Sequence, residues 1–224
     1  MTRFVFSLFL VIPALAQTTP ASVQAQGSAT ISVQPDQAQL TVSIATSGTT
    51  AQEAGQQNAT LTATVLAALQ KLIGTNGTIA TSSYTISPRY SNGTATQAPT
   101  IVGYSATITE QLTLNDLTLI GQAIDNANQA GATSVGNLTL GLQNPEPVLE
   151  TALTAAAKQA LTHAGAIASG LGGKTGPVIS AQQAATYAPT ATLLVGAPGS
   201  SAATAVQPGP VSVSATVTVT VQLQ

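Results

Sequence analysis

Few residues in this 224-residue sequence could carry acid, base or nucleophilic chemistry. It contains seven Asp or Glu, five Lys or Arg, one His and no Cys. Among the carboxylates Glu110 is unusual, because the alternating pattern of its segment places it on the apolar face of a strand. A general acid/base pair needs a second carboxylate, and none lies at a suitable spacing. A strand end, a bulge or an oligomer contact therefore explains Glu110 better than a catalytic acid does.

The single histidine, His163, falls in an alanine-rich segment and has no cysteine or nearby acid as a partner. We expect a solvated or packed side chain and not a ligand. Residues 168–175 resemble the phosphate-binding pattern G-x-x-x-x-G-K-T, but Ala168 replaces the first glycine and the segment closes a helix. We interpret it as a helix C-terminus with Lys174 near the negative end. The sequence thus predicts no catalytic, cofactor-binding or metal-binding residue, and no cofactor.

Two further sets of residues could mark a binding surface. Four tyrosines could line a sugar or peptide groove, although core or edge packing is their commoner position; they are Tyr84, Tyr90, Tyr104 and Tyr187. Four N-x-S/T sequons occur, at Asn58, Asn76, Asn92 and Asn137. Asn58 falls inside a predicted helix, which argues against a selected glycan site.

The charge content limits the class of partner. Only 5% of residues are charged and the net charge is −2, whereas soluble domains usually carry about 25%. The five cations stand far apart, so a nucleic-acid surface is excluded. A surface of Ser, Thr, Gln and Asn offers little charge repulsion, which favours a homo-oligomer. It could equally be a surface that suits the organism's medium.

The first residues have the pattern of a secretory signal. Met1-Thr2-Arg3 precedes an apolar run that ends in Ala14-Leu15-Ala16. The run is too short to cross a bilayer. We predict a signal peptide over 1–16 with cleavage after Ala16, a periplasmic or secreted protein, and no integral membrane segment after cleavage. Residues 17–26 are predicted to be a flexible lead-in.

Hydrophobic periodicity predicts the elements that would position these residues. Residues 27–33 and 38–44 alternate, so they form two strands or one strand bent at Pro35-Asp36. Thr50-x-x-Glu53 fits a capping box at the start of a helix over 51–73. Its predicted apolar stripe comprises Leu61, Val65, Leu69 and Leu72.

The rest of the chain continues the same mixture of strands and helices. The further predicted elements up to the third helix are a strand over 78–87 halted by Pro88, a strand over 102–114, a helix capped by Asn115 and ended by Gly131, and a strand over 135–142. They are followed by an alanine-rich helix over 148–171, a strand over 178–187, a low-complexity loop over about 188–209 and a strictly alternating strand over 211–223. This order predicts an α+β fold, with long antiparallel strands and about three helices packed on the sheet. One domain and two intimately joined subdomains are equally compatible.

Several stretches, in their order and spacing, resemble the SIMPL-domain family. They include 27–36, the helix with Ala51, Ala54 and Asn58, then 79–90, 103–104, 116–121, 130–132, the helix end near 171–172, and Pro208-Gly209 before the last strand. The resemblance makes 27–224 a SIMPL-like domain. It implies an exported, largely periplasmic α+β protein that self-assembles, is linked to oxidative-stress defence, and has no established catalytic residues. The chain departs from the family in its low charge, above all along the third helix.

These observations lead to ranked expectations for function. The first is a non-enzymatic protein of the periplasm or cell envelope that acts as a homo-oligomer in a structural or stress-protective role. The alternative is a surface adhesin or carbohydrate-binding module, because the strands are rich in Thr and Ser and the chain has four tyrosines. A third hypothesis, an enzyme, would have only Glu110 and His163 as candidate catalytic residues.

Overall fold

A computed structural model describes residues 21–91, 98–188, 194–195 and 206–224. These residues form seven strands in two antiparallel sheets, three α-helices and one two-residue ladder, which confirms the α+β class. The signal peptide over 1–16 lies outside the described residues, as does most of the low-complexity segment.

The elements follow in the order that the sequence predicts. They are β1 Ser22–Val33, β2 Gln37–Gly48, α1 Ala51–Ile73, β3 Gly77–Tyr90, β4 Ile101–Leu114, a 3₁₀ turn Leu117–Leu119, α2 Ile120–Gln129, β5 Ser134–Gly141, α3 Glu146–Gly170, β6 Thr175–Ala188, β7 Leu194–Val195, β8 Val206–Gln207 and β9 Val211–Leu223. The short strands β7 and β8 pair only with each other.

The four-stranded sheet has the order β3-β4-β2-β5, and α1 and α2 cover one of its faces. Alternate residues of β2 are buried beneath the helices: Ala38, Leu40, Val42 and Ile44. The residues between them pair with a polar row on β4, where Gln111 donates a hydrogen bond to Gln39 over 3.0 Å. This sheet therefore has one apolar face and one hydroxyl- and amide-rich face.

The three-stranded sheet has the order β1-β9-β6, and α3 packs on it. The contact face of α3 repeats every four residues and is fully buried: Ala152, Ala156, Ala160, Ala164 and Ala168. Because these side chains are small, the helix approaches the sheet closely. A Cβ atom at Gly27 of β1 would collide with Ala156 O and Ala160 N. The alternation predicted for β9 is confirmed, with every second residue from Val211 to Val221 buried.

The start of α1 confirms the predicted cap, with one difference. Thr50 Oγ1 accepts a hydrogen bond from the Glu53 amide at 3.1 Å. The Glu53 carboxylate reaches past Thr50 and accepts from the Thr49 amide at 2.8 Å and the Thr49 hydroxyl at 2.7 Å. The helix ends at Gly74, whose φ of +51° suits glycine.

The structure corrects the C-terminal part of the predicted flexible lead-in over 17–26, whose residues 17–20 lie outside the described residues. Strand β1 begins at Ser22, and residues 22–26 pair with 218–222 of β9. In this stretch Val23 and Ala25 are buried between exposed polar residues. The long-range partner β9 forces an extended conformation on a segment whose composition is typical of a loop.

Two smaller boundaries also differ from the prediction. Pro88 does not halt β3, which continues to Tyr90, because β3 is an edge strand where a missing N–H is tolerated. Asp116, and not Asn115, caps the turn before α2: its Oδ1 accepts from the Thr118 amide at 2.9 Å. Asn115 instead accepts a hydrogen bond from Gln37 at 3.1 Å.

Candidate functional site

Glu110 and His163 lie on different sheet-and-helix layers, so the structure does not bring them together. Glu110 is 2% exposed on the helix-covered face of β4, and its Oε1 accepts a hydrogen bond from Thr81 Oγ1 at 3.0 Å. The strand opposite bulges at Ser82, whose hydroxyl donates to Thr109 O at 3.1 Å. The sequence left a strand end, a bulge or an oligomer contact as explanations for Glu110. A bulge is present, but it lies on the partner strand β3.

His163 lies on α3 and contacts the outer edge of β1. Its Nδ1 is 2.8 Å from Gln26 O. One turn earlier, Gln159 Oε1 accepts from the Ser28 amide at 2.6 Å. These two side chains satisfy backbone groups of an edge strand that would otherwise be open to another strand. The histidine therefore has a structural role in covering this edge.

The segment that resembles a phosphate-binding loop is the end of α3. The Gly173 amide donates to Ala168 O at 2.9 Å, and Gly172 has φ +80°. Lys174 then pairs through its backbone with Gln224, at 2.6 and 2.9 Å. Because the segment closes a helix and joins the last strand, the predicted C-terminal interpretation is confirmed.

A groove lies between α1 and the β3–β4 strand pair, and we call it the α1–β3 groove. Its volume is about 430 Å³. Its lining residues are Asn58, Ala59, Thr62, Ala63, Leu66, Tyr84 and Ile108.

The bulge at Ser82 places β3 side chains over this groove. Before the bulge Ile79 pairs with Leu112, and after it Tyr84 pairs with Ile108. The β3 residues that face α1 therefore have odd numbers before the bulge and even numbers after it. Tyr84 can then lie against α1, where a Cβ atom at Gly55 would be 3.2 Å from its hydroxyl.

Two polar side chains at the groove are buried and incompletely bonded. Asn58 is 1% exposed, and its Nδ2 donates to Ile44 O at 2.8 Å and to Ala106 O at 3.2 Å. Its Oδ1 has no partner among the described residues. Thr62 is 6% exposed, and its Oγ1 also has no hydrogen-bond partner in the described part of the chain.

Sequence reasoning missed both residues. Asn58 was considered as part of an N-x-S/T sequon. Its side chain is buried, so it is inaccessible to a glycan. The available signal was the spacing 54, 58, 62, 65, 69, 73, which continues the buried stripe of α1 through two polar residues.

The tyrosines do not form one cluster. Tyr84 lines the α1–β3 groove, whereas Tyr104 is half-buried opposite Pro88, further along the same strand pair. Tyr90 is exposed near the end of β3. The side chain of Tyr187 lies outside the described residues. Glu110 lies one row beyond Ile108 on β4 and next to Thr81.

The β3–β4 hairpin also carries exposed apolar side chains, which we call the hairpin patch. Its members are between 38 and 58% exposed: Ile86, Tyr90, Ile101 and Val102. Strand β3 forms one end of its sheet, and no described strand pairs with its outer side. An open edge and an apolar surface therefore lie side by side.

Within 21–91, 98–188, 194–195 and 206–224, no three His, Cys, Asp or Glu side chains group so as to hold a metal ion. In the same ranges, no helix combines the length and apolar character needed to span a membrane.

Comparison of the sequence with known proteins shows which family the chain belongs to. The chain matches the SIMPL family, described as a protein of unknown function (DUF541), over residues 23–221. It belongs to the SIMPL family. It is also similar to the 26 kDa periplasmic immunogenic proteins of Brucella melitensis biotype 1 and Brucella abortus strain S19. Each is 28% identical over 176 residues, which cover 75% of this chain and 70% of the relative.

Proposed function

We propose that this chain is an exported, non-enzymatic periplasmic protein that works as a homo-oligomer joined through β3 and the hairpin patch. Membership in the SIMPL family and two relatives named as periplasmic support the location. The predicted signal over 1–16 agrees with it.

The observation that carries the self-assembly is the hairpin patch beside the free edge of a 14-residue strand. Monomeric proteins usually protect long edges and avoid contiguous exposed apolar patches. The edge of β1 shows such protection, since Gln159 and His163 bond to its backbone. On β3 the features that oppose pairing with another strand are limited to the Ser82 bulge, Pro88 and Arg89.

A twofold arrangement would use both features at once. Two copies of β3 that pair antiparallel about a twofold axis near Pro88 would join two four-stranded sheets into one. Each hairpin patch would then meet its copy, because Ile86 and Tyr90 lie in the last five residues of the strand. The low charge of the chain opposes this contact very little.

Light scattering after size exclusion tests the assembly on the mature protein at micromolar concentration. We expect a mass above that of one chain. The double variant Tyr90→Lys/Val102→Lys should be monomeric, because four buried cations would face each other in the dimer. Leu161→Lys on α3 is the matched control, with an apolar side chain 46% exposed on another surface. A monomeric wild type, or equal masses for the double variant and the control, would contradict the proposal.

The non-enzymatic part rests on the separation of Glu110 from His163. The double variant Glu110→Gln/His163→Ala tests it against a panel of ester, peptide and glycoside substrates. Any turnover seen with wild type should persist in the variant, and a loss of turnover without a loss of fold would restore the enzyme hypothesis.

A stress-protective role of this chain would not use sulfur chemistry. The sequence has no Cys, and its single Met is Met1, inside the predicted signal. The oxidation steps that consume peroxide at Cys or Met are thus missing from the predicted mature chain. The mature protein should leave the rate of peroxide loss in buffer unchanged. The alternative of an adhesin or carbohydrate-binding module stays a prediction, for which a glycan array is the test.

A further inference from the structure

We propose that Gln159 and His163 form a latch on the outer edge of β1, which prevents a second copy of the chain from adding its strand β6 there. We call these two side chains of α3 the α3 latch. The proposal concerns the three-stranded sheet, so it is separate from the contact through β3 and holds whether or not that contact forms.

The α3 latch occupies two backbone groups that an added strand would need. Gln159 Oε1 accepts a hydrogen bond from the Ser28 amide at 2.6 Å. His163 Nδ1 donates to Gln26 O over 2.8 Å, because a carbonyl oxygen can only accept. In an antiparallel ladder every second residue directs both its N–H and its C=O to the same side, and for residues 26 and 28 this side is away from β9. The latch therefore interrupts the outer edge of β1 at its middle.

Strand β1 has none of the usual features that keep an edge from pairing. Natural edge strands are often protected by charged residues, by proline or by a bulge. The residues of β1, Ser22–Val33, include no charged residue and no proline. Their register with β9 runs along the whole strand without a bulge. Among the described contacts, the α3 latch is thus the protection of this edge.

The strand that fits this edge is β6 of another copy. It forms the opposite edge of the same sheet, and no described strand pairs with its outer side. Its residues 177–184 are all exposed, so neither face of this stretch is covered. The strand Thr175–Ala188 has no charged residue. Because β1 and β6 both run antiparallel to β9, a copy that is added without being turned over continues the sheet.

The position of α3 opposes the alternative in which β1 pairs with β1 of another copy. A Cβ atom at Gly27 would collide with Ala156 O and Ala160 N, so α3 lies directly over β1. Two paired β1 strands would bring two such helices to about 5 Å, the spacing of strands, whereas packed helices lie about 8–10 Å apart. With β6 as the partner, the two helices are three strand spacings apart, about 14 Å, and do not collide.

Addition of β6 to β1 would not stop at two chains. Each added copy presents its own β1 edge, so the contact joins two different surfaces and can repeat without closing. The α3 latch thus ends the three-stranded sheet at β1 and keeps an assembly from growing in this direction.

Light scattering tests the latch in the double variant of the hairpin patch described above, which lacks the contact through β3. Adding Gln159→Ala/His163→Ala to this background should raise the mass several-fold, and the mass should increase with protein concentration. The matched control is Thr151→Ala/Thr162→Ala, whose hydroxyls donate to the backbone of α3 itself, and it should keep the mass of the background. Equal masses for the latch variant and the control would overturn the proposal.

A second set of variants tests whether β6 is the partner strand. Since residues 26 and 28 point away from β9, their partners Thr218 and Thr216 point towards β6, and the odd-numbered residues after Ser180 direct their backbone groups outward. Gln183→Pro removes such an outward N–H and, added to the latch variant, should restore the mass of the background.

Charges on β6 give the same test without a change of its backbone. Val178→Lys/Ile179→Lys replaces two side chains that are 53 and 52% exposed, and it should also restore the mass of the background. Circular dichroism shows which variants fold, so this variant keeps the test valid if Gln183→Pro does not. Growth that continues in a folded β6 variant would contradict β6 as the partner.

Amide hydrogen exchange tests the contact itself in dilute protein. Gln159→Ala frees the Ser28 amide, which should exchange several-fold faster than in the wild type. The Gly27 amide, which the ladder directs to β9, is the internal control and should not change. An unchanged rate for Ser28 would show that the latch is open in solution and would overturn the proposal.

Discussion

Among single residues, Glu53 shows how a local hydrogen bond makes stability depend on pH. The Thr49 side chain, followed by the Thr49 amide, donates to its carboxylate and holds the pKa of Glu53 below the usual value of 4.5. A lowered pKa in the folded state stabilises the fold above the unfolded value, and this contribution is lost as pH falls through the folded value.

In the wild type, the free energy of unfolding should fall between about pH 5 and pH 3, and in Glu53→Gln this fall should be smaller. Part of the fall should remain in the variant, because the pKa of Asp116 is also lowered, by Thr118. Urea midpoints at several pH values measure this. Thr49→Val removes only the side-chain donor and should give an intermediate slope. Identical slopes for wild type and both variants would show that the cap is not formed in solution.

Asn137 is the one non-glycine residue with positive φ in the described chain, at +51°. It is exposed in β5, beside the register shift of β2 and β5. Glycine adopts this conformation freely, whereas a β-branched residue pays about 1–2 kcal/mol for it. We expect Asn137→Gly to keep or raise the free energy of unfolding and Asn137→Val to lower it by that amount.

Urea unfolding checks the Asn137 prediction, with Thr139→Val as the control. Thr139 is exposed in the same strand, without positive φ, so its change should be within about 0.5 kcal/mol. An equal loss for both valine variants would point to strand propensity and not to backbone strain.

At the level of elements, the sequence predicted best where local and long-range preferences agree. The bounds of α1 match the prediction because the Thr50 cap, the apolar stripe and Gly74 all favour the same helix. Residues 22–26 were missed because only pairing with β9 makes them a strand. Asn58 and Thr62 were missed because the predicted stripe of α1 contained apolar residues alone, whereas the buried face continues through these two polar residues.

The packing of α3 on β1 depends on the absence of a side chain at Gly27. A methyl group there would collide with the backbone of α3 at Ala156 and Ala160. Backbone cannot move as a flexible side chain can, so Gly27→Ala should destabilise the protein by about 1–3 kcal/mol. Gly165→Ala, within α3 and with no atom within 4 Å of the new methyl, should stabilise by about 0.5–1 kcal/mol.

The opposite signs of these two glycine variants make the measurement decisive. Both replace glycine by alanine, so denatured-state effects are similar, and urea unfolding compares them directly. If Gly27→Ala proves neutral, α3 does not approach β1 as closely as the structure shows.

For the whole molecule, the open question is whether the two layers form one domain or two joined subdomains. The core of the four-stranded sheet includes Val211 of β9, and Val33 of β1 packs against it. Both residues belong to strands of the three-stranded sheet. Only the short link between Val33 and Gln37 separates β1 from β2. Shared side chains of this kind couple the layers, which favours a single cooperative unit.

Paired core variants test that unit. Leu69→Ala removes a side chain from the α1 core, at a cost of about 2–5 kcal/mol, and Val219→Ala removes one from the α3 core, at about 1–3 kcal/mol. Three of the four tyrosines, Tyr84, Tyr90 and Tyr104, lie in the β3–β4 hairpin, so tyrosine fluorescence mainly reports the four-stranded layer. Urea unfolding is followed by fluorescence and circular dichroism at one protein concentration.

If the layers are cooperative, Val219→Ala should move the fluorescence midpoint although it lies in the opposite layer, and the two probes should coincide for both variants. If they are independent subdomains, Val219→Ala should move only the dichroism transition, while Leu69→Ala moves the fluorescence. Val211→Ala weakens the core that the two layers share. In a cooperative protein this variant should make the fluorescence and dichroism midpoints differ from each other. In a protein of two independent subdomains, the difference between the two midpoints should stay as it is in the wild type.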